Sequence, residues 1–297
     1  MLVKHLQYTG KHLITGKSGQ MGYIMGGDNT FRSLPMTLKE HEYIRHTLER
    51  YTNSPLDEIC DHILITNFRQ YINEFRNRTN GVMHEGNFRI VNACDYNCSM
   101  IDMGIGSPQA ALLINCLAYL DNLKSTIMLG MCGGIEDILE VGNFVIPSAA
   151  IRGEGTSRHY LPLEFPAIPA SSINLYCIGS VRKHGHLEPR CGIVFTTDRR
   201  LWEYDEEFIA YLRRQRILAI DMELATLFSV AYHYEVPIGS IMLVSDMPLQ
   251  RRGVKDRESS EKIFSNYMPT HLDLAMDAVA NVQQNWAEVE RTLTSEW

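Results

Sequence analysis

The stretch from Arg216 to Asp246 carries the densest chemical signal in the chain. A short apolar run, Ile217-Leu218-Ala219-Ile220, leads into Asp221-Met222-Glu223, and an apolar-periodic segment follows from Leu224 to Tyr234. A second apolar run, Ile241-Met242-Leu243-Val244, stops at Ser245-Asp246. The pattern reads as strand, helix, strand, with both strands ending in carboxylates. Ligands of open α/β sheets bind outside the carboxyl ends of the strands. Acids delivered there from neighbouring strands can take different roles, because each environment sets its own pKa. Asp221 or Glu223 could equally cap the following helix. Asp246 is harder to read that way, since Pro248 stands two residues later and no helix begins cleanly there.

Three further junctions could do chemistry. Met103-Gly104-Ile105-Gly106-Ser107-Pro108 opens a helix over Gln109–Leu120. Glycines there let backbone approach an anion, and the helix N-terminus with Ser107 offers donors, although the same residues also serve as plain strand-to-helix punctuation. Leu129-Gly130-Met131-Cys132-Gly133-Gly134 places glycines straight after a buried strand, either as a bare backbone wall for a flat ligand or as a tight turn. Phe195-Thr196-Thr197-Asp198-Arg199-Arg200-Leu201-Trp202-Glu203 supplies aromatic rings and two guanidinium groups suited to phosphate. Its alternative is a solvated helix start capped by Asp198.

The elements that position these junctions follow from the apolar pattern. Strands are expected at His62–Ile65, Phe88–Val91, Ser99–Met103, Thr126–Leu129, Asn143–Ile146, Cys191–Phe195, Ile217–Ile220 and Gly239–Val244. Helices are expected at Leu38–Tyr51, Arg69–Asn77, Pro108–Leu120, Glu206–Gln215, Leu224–Tyr234 and Ser259–Ala287, and 153–172 reads as the longest loop. Continuous apolar strands alternating with helices imply a largely parallel sheet covered on both faces. Residues 1–55 are more polar and irregular, an N-terminal extension of helix and loop ahead of a domain over 56–297.

Composition narrows the function. A chain of 297 residues with 45% apolar content can bury a large core. A net charge of −7 argues against nucleic acid as partner, since phosphate neutralisation needs a dense Lys/Arg surface. No apolar stretch approaches the roughly 20 residues that span a bilayer, and Lys4, His5 and Lys11 do not flank a signal-peptide core. The seven cysteines lie mostly within apolar runs, as small buried hydrophobes of a reduced, cytoplasmic protein. Cys94 and Cys98 form the one close pair, so no metal site is expected.

These residues resemble the purine nucleoside phosphorylase and nucleosidase superfamily. Gly104-Ile105-Gly106-Ser107-Pro108, Gly130-Met131-Cys132-Gly133, Met222-Glu223 and Ser245-Asp246 are similar to its motifs. Arg50-Tyr51-Thr52, Thr66-Asn67-Phe68 with Tyr71 and Glu74-Phe75, Thr197-Asp198-Arg199 with Trp202-Glu203, and Pro248-Leu249 resemble its AMP nucleosidase subgroup, from about residue 50 onward. The resemblance implies an α/β fold, a three-layer α/β/α sandwich about a mostly parallel mixed sheet, in a homohexamer built as a trimer of dimers. It implies a small-molecule purine nucleotide as substrate, cleavage of AMP to adenine and ribose 5-phosphate in nucleotide salvage, and no metal or organic cofactor. Asp246 would be the general acid at the leaving purine, and Glu223 would hold the ribose and stabilise its cation. Phe195 or Trp202 would stack on the base, with Met222 beside it and Gly133-Gly134 opposite. Ser107, Asn67, Arg69 and Arg199 or Arg200 are the candidates for the 5′-phosphate.

One departure is informative. Many phosphorylases of the superfamily carry a phosphate-binding arginine two residues before the Gly-x-Cys-Gly segment, and Met128 stands there in this chain. An apolar residue cannot hold a dianion in a dry site, so water is the expected nucleophile. Glu136, if it faced the site, would repel a 5′-phosphate. Two alternatives stand beside AMP hydrolysis: a nucleosidase or phosphorylase acting on an unphosphorylated purine nucleoside, and a non-catalytic nucleotide-binding homologue.

Overall fold

The computed structural model describes residues 38–184, 188–250, 253 and 257–296; the remainder of the expected N-terminal extension, residues 1–37, lies outside the described residues. In chain order the strands are β1 (His62–Thr66), β2 (Val82–His84), β3 (Arg89–Ala93), β4 (Cys98–Asp102), β5 (Ser125–Gly134), β6 (Phe144–Gly153), β7 (Arg190–Thr197), β8 (Ala219–Asp221) and β9 (Ile238–Asp246). The helices are α1 (Leu38–Thr52), α2 (Arg69–Thr79), α3 (Ser107–Leu117), α4 (Ser171–Lys183), α5 (Glu206–Arg214), α6 (Leu224–His233), α7 (Arg257–Asn266), α8 (Met268–Gln284) and α9 (Trp286–Glu296).

The strands form one mixed sheet. On one side, β1 pairs in parallel with β4 and β5, and β3 and β2 extend the edge antiparallel. On the other side β5 pairs with β9, β9 with β6, β6 with β7, β7 with β8, and β8 returns to β5, so five strands close a ring. Side chains alternate across a strand. Ile63 and Ile65 therefore enter a core with Leu48 of α1 and the inner faces of α3 and α6. Leu64 enters a second core with Tyr71, Ile72 and Phe75 of α2 and the apolar faces of α4, α8 and α9. Burial on both faces is why these strands read as unbroken apolar runs.

Several expectations are corrected. The glycine cluster Gly130–Gly134 is not a turn: it continues β5 as extended strand. A helix, α4, stands at Ser171–Lys183 directly after the Pro-rich loop, and Ser172 and Asn174 on its buried face interrupt the apolar period that would have marked it. The expected long C-terminal helix is three, α7 to α9, with Pro269 in the first turn of α8 marking one start. The exposed Cys94 and Cys191 are exceptions to the expectation of buried thiols. The acids at the ends of β8 and β9 do not come from neighbouring strands: β5 lies between them, and Gly133 is the partner of both Ile220 and Asp246. Among the described residues no helix is long and apolar enough to cross a membrane.

Candidate active site

A cavity of about 400 Å³ opens where β1, β5, β7, β8 and β9 end. Its lining brings together Asn67, Gly133, Trp202, Met222, Glu223 and Asp246, with Arg199 and Arg200.

Glu223 is the most tightly held group. The loop before α3 turns through Gly104 and Gly106 at φ of +75° and +105°, a region that favours glycine. That turn aims the Gly106 N–H at Glu223, whose Oε1 accepts it at 2.8 Å. Oε2 accepts from the Asn67 amide at 3.2 Å. Asp221 anchors the start of α6: its Oδ2 accepts from the backbone N–H of Glu223 and Leu224 at 2.8 and 2.6 Å, and Oδ1 accepts from the Thr196 hydroxyl at 2.6 Å. Of the two acids read as possible caps, Asp221 is thus the one that caps. Burial pushes the Glu223 carboxyl up to about 8, and the nearby Asp221 charge adds to it. Burial also raises Asp221, to about 6, with its hydrogen bonds pulling the other way.

Asp246 ends β9 at a break in register: Cys132 faces Val244 but Gly133 faces Asp246. The extra residue, Ser245, forms a bulge, a device that re-aims a side chain at a sheet end. Ser245 donates to Asp246 Oδ1 at 2.7 Å.

The segment after β7 forms the opposite wall. Trp202 lines the pocket and packs edge-on against Phe208 of α5. Phe195 does not reach the lining. Its ring packs on Phe208 and Tyr211 behind the wall, where it supports Trp202 within a small apolar cluster. Asp198 does not cap a helix; it accepts from the Gly155 N–H at 2.9 Å, and Asp205 caps α5 through the Phe208 N–H at 2.9 Å. Arg199 pairs with Asp205 at 2.7 Å and Arg200 with Glu203 at 2.8 Å.

Other expected residues stand elsewhere. The Ser107 hydroxyl is buried and donates to the Met222 carbonyl at 3.0 Å, so it fastens α3 to the site instead of facing a ligand. Arg69 points to the surface and pairs with Glu85 at 3.5 Å. Gly134 leaves room for Met247, whose Sδ would lie 2.4 Å from an added Cβ, and not for a ligand. Glu136 is not among the described residues of the lining. Met128 is fully buried, its Cε packed beside Gly130 with the Met242 thioether. The pocket also recruits residues outside the expected set, Phe68, Ile105, Thr197, Glu203 and Ser260 among them. Phe68 and Glu203 adjoin expected residues, which was a usable signal; Ser260 comes from α7, far along the chain.

The chain matches the family model described as "Phosphorylase superfamily" over residues 57–280. Among solved structures it is similar to AMP nucleosidase from Bacteroides thetaiotaomicron VPI-5482, at 33% identity and a TM-score of 0.72, over 82% of this chain and 98% of that one. It is 24% identical to AMP nucleosidase of Escherichia coli (strain K12), over 78% of this chain, and spans only 57% of that protein's length. It is 32% identical to a DeoD-type purine nucleoside phosphorylase of Buchnera aphidicola subsp. Acyrthosiphon pisum (strain Tuc7), over 54% of this chain and 70% of that one. The strand-end pocket, the motif residues that line it and a family match across most of the domain agree: the chain belongs to the phosphorylase superfamily.

Proposed function

We propose that the chain hydrolyses the N-glycosidic bond of AMP, giving adenine and ribose 5-phosphate. The observation that carries this reading is that Glu223 and Asp246 share one pocket. As the C1′–N9 bond breaks, positive charge grows on the ribose and negative charge on the purine. Glu223, held by Asn67 and Gly106, engages the ribose hydroxyls and sets its carboxyl oxygens against the positive charge growing on the sugar. Asp246 delivers a proton or a strong hydrogen bond to N7 of the departing base. Water adds its oxygen to C1′, and its proton balances the one taken up by adenine. The base stacks on Trp202. Water, not phosphate, is the nucleophile in this reading, because Met128 fills the expected place of a phosphate-binding arginine.

Arg199 is the better candidate for the 5′-phosphate. Its partner Asp205 is 36% exposed, and an exposed pair is worth little, so a phosphate can displace it. The AMP nucleosidases of B. thetaiotaomicron and E. coli, similar over most of this chain, support the same substrate. The division into an extension over 1–55 and a catalytic domain over 56–297 belongs to this proposal, as do the cytoplasmic setting and the homohexamer, which rest on the family resemblance.

A second reading has a specific observation behind it. The described lining carries Asp221, Glu223, Asp246 and Glu203 against two arginines already paired, a balance that suits an unphosphorylated nucleoside. Product analysis separates the two. AMP incubated without phosphate should release ribose 5-phosphate and outcompete adenosine. Ribose 1,5-bisphosphate as the main product in phosphate buffer would refute hydrolysis, and cleavage of adenosine alone would favour the second reading.

A further inference from the structure

Glu203 lines the pocket directly after Trp202, and its side chain is only 4% exposed. Arg200 Nη1 donates to Oε1 at 2.8 Å. Oε2 is shielded from solvent and has no hydrogen-bond partner among the described residues. An ionised carboxylate only accepts hydrogen bonds, and a buried oxygen left without a donor is costly. Glu203 belongs to the pocket lining, so a donor carried by a ligand is what Oε2 lacks. At the other end of the pocket Glu223 and Asn67 already offer acceptors to the ribose hydroxyls. Trp202 and Glu203 line the pocket side by side, so a base stacked on Trp202 would present its edge to Glu203.

We propose that Glu203 is a specificity-determining residue: it accepts a hydrogen bond from the 6-amino group of a purine and turns away a 6-oxo purine. This rests on the N-glycosidase reading, in which Asp246 addresses N7. The substituent next to N7 on that edge is the one at C6. An amino group there donates to Oε2, whereas a carbonyl oxygen there faces a second acceptor. Arg200 holds the carboxylate in register and is committed to it, which leaves Arg199 for the phosphate.

The pairing makes the test directional. In Glu203→Gln, Arg200 offers donors only, so the amide oxygen stays on Arg200 and the NH2 group takes the Oε2 position. A donor then stands where an acceptor stood. kcat/KM for AMP should fall 10- to 100-fold, as for loss of a hydrogen bond to a charged group, while kcat/KM for inosine 5′-monophosphate rises. Glu203→Gln combined with Arg200→Ala frees the amide to flip and should recover part of the AMP rate. An unchanged preference in Glu203→Gln that still cleaves AMP would overturn the assignment and leave the hydrolase reading intact. A shift of preference toward AMP would also overturn it, since Glu203 would then face the N1–H of a 6-oxo base. Should the variant not fold, calorimetry on the wild-type protein decides: free adenine should bind at least about 10-fold more tightly than hypoxanthine, and equal binding overturns the proposal. Failure of the wild-type protein to cleave AMP at all would remove the reading and this inference together.

Discussion

The two ends of the pocket hold their charged groups in opposite ways. At the β1 and α3 end, Glu223 is buried and fastened through both carboxylate oxygens, and the acid beside it is tied to three more donors. At the β7 end the guanidinium groups of Arg199 and Arg200 are more than half exposed, each with a carboxylate partner within its own segment. Fixed dipoles and charges stabilise a developing charge without reorganising, so in the proposed reaction rigidity belongs at the end assigned to the sugar. Only the Arg199 pair, with its partly exposed Asp205, is open to exchange, as the proposed phosphate contact requires; the Glu203 partner of Arg200 is buried.

The largest effect should come from Asp246, between the two ends. Asp246→Asn is expected to keep substrate affinity and lose at least about 100-fold in kcat, the low end for a general acid; near-normal turnover would remove Asp246 from the chemistry. The anchored end is tested next. Asn67→Ala strips one donor from Glu223 and should lower kcat for AMP and adenosine alike by about 10- to 100-fold. The exchangeable end should answer differently: Arg199→Ala should raise KM for AMP about 10-fold and leave adenosine nearly unchanged. Equal effects of these two variants on both substrates would dissolve the distinction.

The anchored end also has a stability signature. Glu223 sits near 8 in the fold through burial and the Asp221 charge, above its unfolded value. A carboxyl raised on folding contributes stability that is fully present below its unfolded pKa and is lost as pH rises through its folded one. The thermal midpoint of the wild-type protein should therefore fall between about pH 5 and 8 more steeply than that of Glu223→Gln. Parallel curves would show that Glu223 is not raised. The smallest effect is expected at Arg69, whose exposed pair with Glu85 is worth under about 1 kcal/mol. Arg69→Ala should leave AMP kinetics unaltered, and a raised KM would return that arginine to the phosphate.

The place of Asp246 in the pocket was legible because an apolar strand that stops at an acid just before a proline leaves few readings for that acid, whereas Glu223 stood only as one of two acids able to cap the next helix. The partnership of Glu223 with Asn67 and Gly106 was not legible, since it joins residues more than a hundred positions apart. Phe195 and Trp202 were equivalent as aromatic residues in one segment. Their difference arises only when α5 folds over the strand and claims the Phe195 ring with Phe208 and Tyr211. The glycines at 133 and 134 signalled a close approach, but the approaching atoms of Pro248 and Met247 lie on another strand's exit. Parallel pairing of β1 with β4 and β5 followed from their two-sided burial, whereas the antiparallel returns and the ring had no signature in any single segment.

The closed ring also dictates when this protein can fold. Thr126 at the start of β5 pairs with Ile238 at the start of β9, so more than a hundred residues must leave the ribosome before that partner exists. Until then β5 carries an open edge, and unpaired strand edges in incomplete chains invite association with other chains. Such distant pairings close late, because loop entropy must be overcome before they return any stability. The last strand to arrive, β9, is also the one that ends in Asp246, so this acid reaches the pocket in the same event that protects β5. Chains released before β9 is made should therefore aggregate instead of persisting as folded, inactive protein.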